Sequence, residues 1–212
     1  MTIFFASFRI FVRIVGVTER CAGGISYSVM YGMKLYKAVL TAVLAVAVVC
    51  IGGCNRQKEL VEQQDEKILS WLQRTYEDGE YDILEKGLYR VVTIPESGKG
   101  VPEAAQGDSL YVMYEIYKFE SSLSRTKSNL LYTNKADMIP EGVDWDRDTL
   151  RFRLGDGRVM RGVEKALSGA APEDEVIVLM TSDHAYGDHT VQQLPPNTAI
   201  AWCVDVEKVM NN

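Results

Sequence analysis

Twelve consecutive residues without a charge, Ala38 to Val49 (AVLTAVLAVAVV), divide this 212-residue chain into two regimes. Residues 1–53 hold five basic side chains (Arg9, Arg13, Arg20, Lys34 and Lys37) against one acid, Glu19. From Cys54 onward there are 18 basic and 28 acidic residues, a balance of −10. At about 1.5 Å per helical residue, twelve residues fall well short of a hydrocarbon core of roughly 30 Å. The run is too short to span a bilayer. It has the length of the apolar region of an export signal, and Met33-Lys34-Leu35-Tyr36-Lys37 supplies the basic stretch ahead of it. The fold must therefore be built from the residues after that run, which suffice for one domain with its own core. An apolar content of 47% and a charged content of 25% exclude a disordered acidic tail and a multi-span membrane protein. The overall charge of −6 gives no electrostatic reason to expect nucleic acid as a partner.

Ile51-Gly52-Gly53-Cys54 closes the apolar run with one aliphatic and two small residues before a cysteine. This resembles the lipobox of bacterial lipoproteins. The resemblance implies a signal peptide over 33–53, cleavage before Cys54 and acylation of that residue. Small residues admit the peptidase to the backbone, and the thiol accepts the acyl chain. Residues 1–32 fit neither segment and are read as lying upstream of the true start, Met33. No acidic run follows Asn55, so the reading is a lipid-anchored protein of the cell envelope, at the outer membrane and facing the periplasm.

Residues 54–86 form a tether and an amphipathic helix. The stretch 56–77 contains no Gly or Pro, and Leu60, Val61, Ile68, Leu72 and Tyr76 fall near one face with Trp71 at its margin. Its apolar half is expected to dock on a domain or on a partner, with its first turns in solvent. From Gly87 the period changes from helix to strand. Gly87 to Ile94 and Ser109 to Phe119 read as strands, the second with Leu110, Val112, Tyr114 and Ile116 on one face. Residues 120–148 are polar and irregular. Leu150 to Leu154 and Glu175 to Met180 read as strands, and Val159 to Ser168 as a short helix. Thr198 to Val209 places Ile200, Trp202, Val204 and Val206 on one face, with Cys203 on the other as a free, half-buried thiol. Several strands around one short helix, without βαβ periodicity, predict an α+β fold with an antiparallel sheet.

Four segments lie in order after Gly87: Gly107-Asp108-Ser109-Leu110-Tyr111-Val112-Met113-Tyr114, the run Leu154 to Leu167, Ser182-Asp183-His184-Ala185-Tyr186-Gly187, and Leu194-Pro195-Pro196-Asn197 with the strand through Trp202. In content and order they, and the chain from about Gly87 onward, resemble FKBP-type peptidyl-prolyl cis-trans isomerases. With the lipobox and helical tether, the whole resembles lipoproteins of Bacteroidetes-type bacteria. For residues 87–212 the resemblance implies a strongly twisted half-barrel sheet wrapped on one short helix, with the N-terminal amphipathic helix preceding it. It implies an apolar, aromatic-lined cleft that stabilises the twisted amide of an X–Pro bond, with no metal and no cofactor. Tyr114, Tyr132, Val159, Met160, Tyr186 and Trp202 would act in catalysis, and Leu150, Val163 and Leu194 would bind substrate. Clients would be Pro-containing polypeptides of the envelope, with the membrane reached through Cys54 and a partner able to dock on helix 56–77.

The chain departs from the family pattern at four positions. Val163 stands where the family has a floor tryptophan, Leu150 where it has a wall phenylalanine, Thr133 where it has an aspartate, and Ala166 where it has a glycine. A wider, less apolar cleft with reduced turnover is expected. The alternative is an FKBP-like module that binds without turnover, or a structural subunit of an envelope complex. Asp183, His184, Asp188 and His189 carry metal-ligating groups within seven residues, but no third His or Cys adjoins them. They are read as part of the loop.

Overall fold

A computed structural model describes residues 36, 56–93, 101, 103–191 and 194–211. Cys54, the signal segment apart from Tyr36, and residues 94–100 lie outside the described residues. The chain divides into two separate units, Met1–Cys54 and Asn55–Asn212, and the second carries the sheet and the core.

Among the described residues seven strands make one open antiparallel sheet: β1 Tyr81–Glu85, β2 Leu88–Thr93, β3 Ser109–Lys118, β4 Leu130–Thr133, β5 Leu150–Arg153, β6 Glu175–Met180 and β7 Ile200–Met210. Their order is β1-β2-β6-β7-β3-β4, with β5 also paired to β3. Two helices are described, α1 over residues 56–75 and α2 at Arg161–Leu167. The α+β class and the antiparallel sheet agree with the sequence reading. The sheet begins earlier than Gly87, because β1 pairs with β2 from Tyr81↔Val91 onward. Gly87 makes that hairpin turn at φ +83, and any β-carbon there would collide with the Thr181 hydroxyl.

Strand alternation gives the sheet two apolar faces, and each takes one helix. Leu110, Val112, Ile116, Val176, Val178, Val204 and Val206 bury one face against Val163, Ala166 and Leu167 of α2. This packing is close: a β-carbon on Gly162 would sit 2.8 Å from Met180 Sδ. On the opposite face Tyr89, Val91, Tyr117, Ile177, Leu179, Ala201 and Cys203 pack with Ile68 and Leu72 of α1. The apolar stripe of the amphipathic helix is thus covered by the domain's own sheet, while residues 56–60 are exposed. Strand alternation alone makes Cys203 half-buried. It is in fact fully buried, because α1 roofs the face it points to. Burial pushes its thiol up to about 12, so it is inert at neutral pH.

The same outer face carries a charge network. Glu115, on β3, receives hydrogen bonds from Tyr117 Oη at 2.9 Å and Arg125 Nη2 at 3.2 Å. Lys135 Nζ lies 3.2 Å from Glu115 and 2.6 Å from Asp205, and Arg125 also bonds Glu175 at 2.5 Å. Burial alone would raise the Glu115 carboxyl. The Tyr117 bond and the two cations outweigh it and hold the group below its ordinary 4.5. A carboxylate lowered by folding stabilises the protein above its ordinary value, and that stability is lost as pH falls through the lowered one. Unfolding free energy should therefore decline below about pH 4.5. Glu115→Gln should flatten that acid limb in urea titrations from about pH 3 to about pH 7. An unaltered limb would show that other carboxylates carry it.

Candidate active site

One edge of β3 is shared by two partners. β5 pairs with its first half up to Val112↔Leu150, and β4 with its second half from Glu115↔Thr133. Tyr114 sits in the gap between them, where a bare ladder would leave its backbone groups unpaired. One backbone bond, from the Asn134 N–H to the Tyr114 carbonyl at 3.3 Å, and two side chains fill the gap. Asn134 Oδ1 accepts from the Tyr114 N–H at 2.7 Å, and Thr133 Oγ1 donates to the Tyr114 carbonyl at 2.7 Å. The other end of the Asn134 amide donates to the Val112 and Asp148 carbonyls at 3.2 and 3.0 Å. Both ends of the long connection between β4 and β5 are thereby pinned at Tyr114. The Thr133 hydroxyl also accepts from the Lys135 N–H at 3.0 Å, so it is committed to backbone.

Above that gap four rings form a column. Trp202 stacks on Tyr114 with centroids 4.9 Å apart, Tyr114 on Tyr132 at 5.9 Å, and Tyr132 meets Trp145 at 5.0 Å. The register explains the first three. Ile116 is opposite Trp202 on β7 and Tyr132 on β4, and Tyr114 shares its face two residues away. The column walls a cavity of about 780 Å³ that Tyr186, Leu194, Leu131 and Pro140 also line. Such a volume accommodates a few residues of an extended peptide.

Tyr114, Tyr132, Tyr186, Leu194 and Trp202, all read as site residues from the sequence, come together in this cavity. Leu150, Val159 and Met160 pack against the adjoining core at intermediate burial and are not among its lining residues. Val163 is 1% exposed and packed within the core, also outside the lining. A Val163→Trp replacement accordingly should not rebuild a floor. It inserts a ring beside the close contact of Gly162 with Met180 and should cost about 1–3 kcal/mol by overpacking, with no gain in peptide turnover. Thermal melts and a turnover assay check this; a gain in turnover would place position 163 at the cavity. Trp145 is a lining residue that sequence reasoning does not single out. It lies in an aspartate-rich stretch with no strand or helix period, and an aromatic ring in such a stretch is the one signal that could have pointed to it.

The cavity's aromatic wall offers neutral phenols and indoles, and Lys127 and Ser128 also line it. Burial raises Tyr114, and the nearby Tyr132, Tyr186 and Asp146 add to it, up to about 12. Burial also raises Tyr186. Both stay protonated near neutral pH and keep an O–H to donate. The indole nitrogen of Trp202 is buried without a hydrogen-bond partner. His184, in the Tyr186 loop, is occupied by the Lys86 carbonyl at 2.8 Å from Nε2, and His189 is exposed beside Asp188. Among the described residues no cluster of three His, Cys, Asp or Glu side chains could hold a metal. An aromatic cleft with neutral donors can do one kind of chemistry well. It can favour a twisted, less polar amide over the planar hydrated one, against a barrier of about 18–20 kcal/mol.

Comparison with known proteins gives three findings. No curated protein is significantly similar in sequence. The crystal structure of the three FKBP domains of wheat FKBP73 is similar over 63% of this chain and 50% of that one, at 16% identity and a TM-score of 0.46, so the chain spans about half the length of that structure. The sequence model of FKBP-type peptidyl-prolyl cis-trans isomerases matches residues 101–207, a stretch running from just before β3 into β7 and containing every lining residue of the cavity. The chain therefore belongs to the FKBP-type peptidyl-prolyl cis-trans isomerase family.

Proposed function

We propose that this protein is a membrane-tethered prolyl isomerase that assists the folding of cell-envelope polypeptides, taking X–Pro segments into the cavity walled by Trp202, Tyr114, Tyr132 and Trp145. The observation that carries the reading is the ring column. It supplies apolar, sequence-tolerant surface for a proline ring, and the raised phenols of Tyr114 and Tyr186 supply neutral donors for a neighbouring carbonyl. Refolding of a polypeptide whose slow phase is X–Pro isomerisation tests it. Catalytic amounts of the protein should shorten that phase; a slow phase that keeps its rate while the protein binds the unfolded chain would favour the second reading, a module that holds Pro-containing partners. The commitment of Thr133 to backbone favours that second reading, because its hydroxyl is held between the Tyr114 carbonyl and the Lys135 N–H.

Tethering rests on the sequence before the domain: a basic stretch, a short apolar run and Ile51-Gly52-Gly53-Cys54. Among the described residues no helix is long and apolar enough to cross a membrane. Acylation of Cys54 would anchor the chain at the outer membrane, with α1 as the first element after the lipidated residue. Cys54→Ala should abolish fatty-acid labelling and move the protein from the membrane to the soluble fraction. Labelling that persists in this variant would refute the anchor.

A further inference from the structure

Helix α1 precedes the family-matched residues 101–207, yet one of its side chains reaches both segments that bring Tyr186 and Leu194 to the cavity. Gln64 Oε1 accepts from the Ser182 N–H at 2.8 Å, and Gln64 Nε2 donates to the Asn197 carbonyl at 2.7 Å. The Gly187 N–H donates to the Ser182 carbonyl at 2.7 Å, closing a turn that holds Tyr186 within it. The Asn197 N–H donates to the Gly187 carbonyl at 2.6 Å, in a left-handed conformation at φ 55, three residues after Leu194. Four hydrogen bonds thus close a ring: Gln64 to Asn197, Asn197 to Gly187, Gly187 to Ser182 and Ser182 back to Gln64. The amide matches this task in both halves, since its oxygen meets an N–H and its nitrogen a carbonyl.

The helix can act as a fixed support because it is held independently. Ile68 and Leu72 are fully buried in the outer-face core. The Tyr89 hydroxyl donates to Asp65 at 2.5 Å, one residue from Gln64, and Lys86 lies 3.6 Å from Glu62. The loop is also tied to the β1–β2 hairpin, through the Thr181 N–H to the Gly87 carbonyl at 2.9 Å and His184 Nε2 beside the Lys86 carbonyl at 2.8 Å, but Ser182 itself is buried, so its N–H has no ready access to water as a substitute partner.

We infer that Gln64 is a positioning residue of the cleft: through its side-chain amide, the N-terminal helix fixes the loop of Tyr186 and the turn after Leu194 in the arrangement that lines the cavity. Only the activity readout of this inference rests on the prolyl-isomerase reading of the cavity. In the full chain, Gln64→Met keeps the length and stem of the side chain and removes both bonds. Gln64→Glu keeps the acceptor for Ser182 and removes the donor to Asn197. Gln73→Met, at an exposed position of the same helix, is the control. Amide hydrogen exchange, the NMR signals of the Tyr186 ring, and KM and kcat on a Pro peptide are measured for each.

Gln64→Met should speed exchange at Ser182 on the order of tenfold, shift the Tyr186 signals and raise KM several-fold, while amides of β3 and β7 exchange as in the wild type. Gln64→Glu should retain protection at Ser182 and show the shift at Tyr186. Wild-type exchange at Ser182 and unshifted Tyr186 signals in Gln64→Met would overturn the inference. So would a loss of protection spread evenly over β3 and β7, which marks a general loss of stability. If the wild type turns over no peptide, the isomerase reading fails alone, and the exchange rates and Tyr186 signals still decide whether Gln64 positions the loop.

Discussion

Trp202→Ala should lower unfolding free energy by about 3–5 kcal/mol and remove measurable peptide binding. The indole is 6% exposed, is set in β7 between β3 and β6, and stacks on Tyr114 at 4.9 Å. Its removal opens a large void at the base of the ring column, and the loss combines apolar transfer with the contacts stranded around the cavity. Trp202→Phe separates wall from core, since it keeps most of the buried area and should cost about 1–2 kcal/mol. Urea melts give the stability, and titration with a Pro peptide gives the binding. A Trp202→Phe protein that folds stably but has lost all binding would show that the indole itself contacts the ligand. An Ala variant with wild-type stability would contradict the packing of Trp202 into the core.

Asn134→Ala should cost about 2–4 kcal/mol and weaken peptide binding well before it unfolds the domain. The side chain is 2% exposed and makes three backbone bonds, to the Tyr114 N–H and to the Val112 and Asp148 carbonyls. Truncation strands a buried donor in the gap between β4 and β5, which costs more than the bond alone. It also frees the connection bearing Trp145 from the edge of β3. Asn134→Asp keeps the acceptor for Tyr114 and loses both donors, so it should fall between wild type and Ala. Equal stability for all three would mean that water satisfies Tyr114 in the variants, and that the amide does not hold the gap.

The strands with a strong period are legible in the sequence because their neighbours on the buried face are continuous. Tyr114 and Trp202 sit two residues from Ile116 and Ile200, and alternation alone places each pair on one face. β1 and β4 are not legible. β1 contains Asp82 and Glu85 and is held as a strand by its register with β2, while β4 is four residues inside a polar stretch and is held by β3. Motif order places Leu150, Val159, Met160 and Val163 in the core that Tyr114, Tyr186, Leu194 and Trp202 share, but does not say which of these side chains line the cavity. The part played by Asn134 depends on a gap between two strands on one edge, and that of Trp145 on a loop path. Neither leaves a periodic trace. Helix α1 is legible as amphipathic from Ile68 and Leu72, but whether its cover is this domain or a partner depends on the second apolar face of the sheet, with Tyr89, Ile177 and Leu179.

Rotation about an X–Pro bond inside the aromatic cavity can be measured directly, by exchange spectroscopy of a short Pro peptide with and without catalytic amounts of the purified protein. With the wild-type protein the cis and trans signals should exchange far faster than the uncatalysed tens of seconds or more. Tyr186→Phe, which removes one neutral hydrogen bond of about 0.5–1.5 kcal/mol, should lower the rate several-fold while the melt stays unchanged. An uncatalysed exchange rate in the presence of well-folded wild-type protein at saturating concentration would contradict an isomerase role for the cavity.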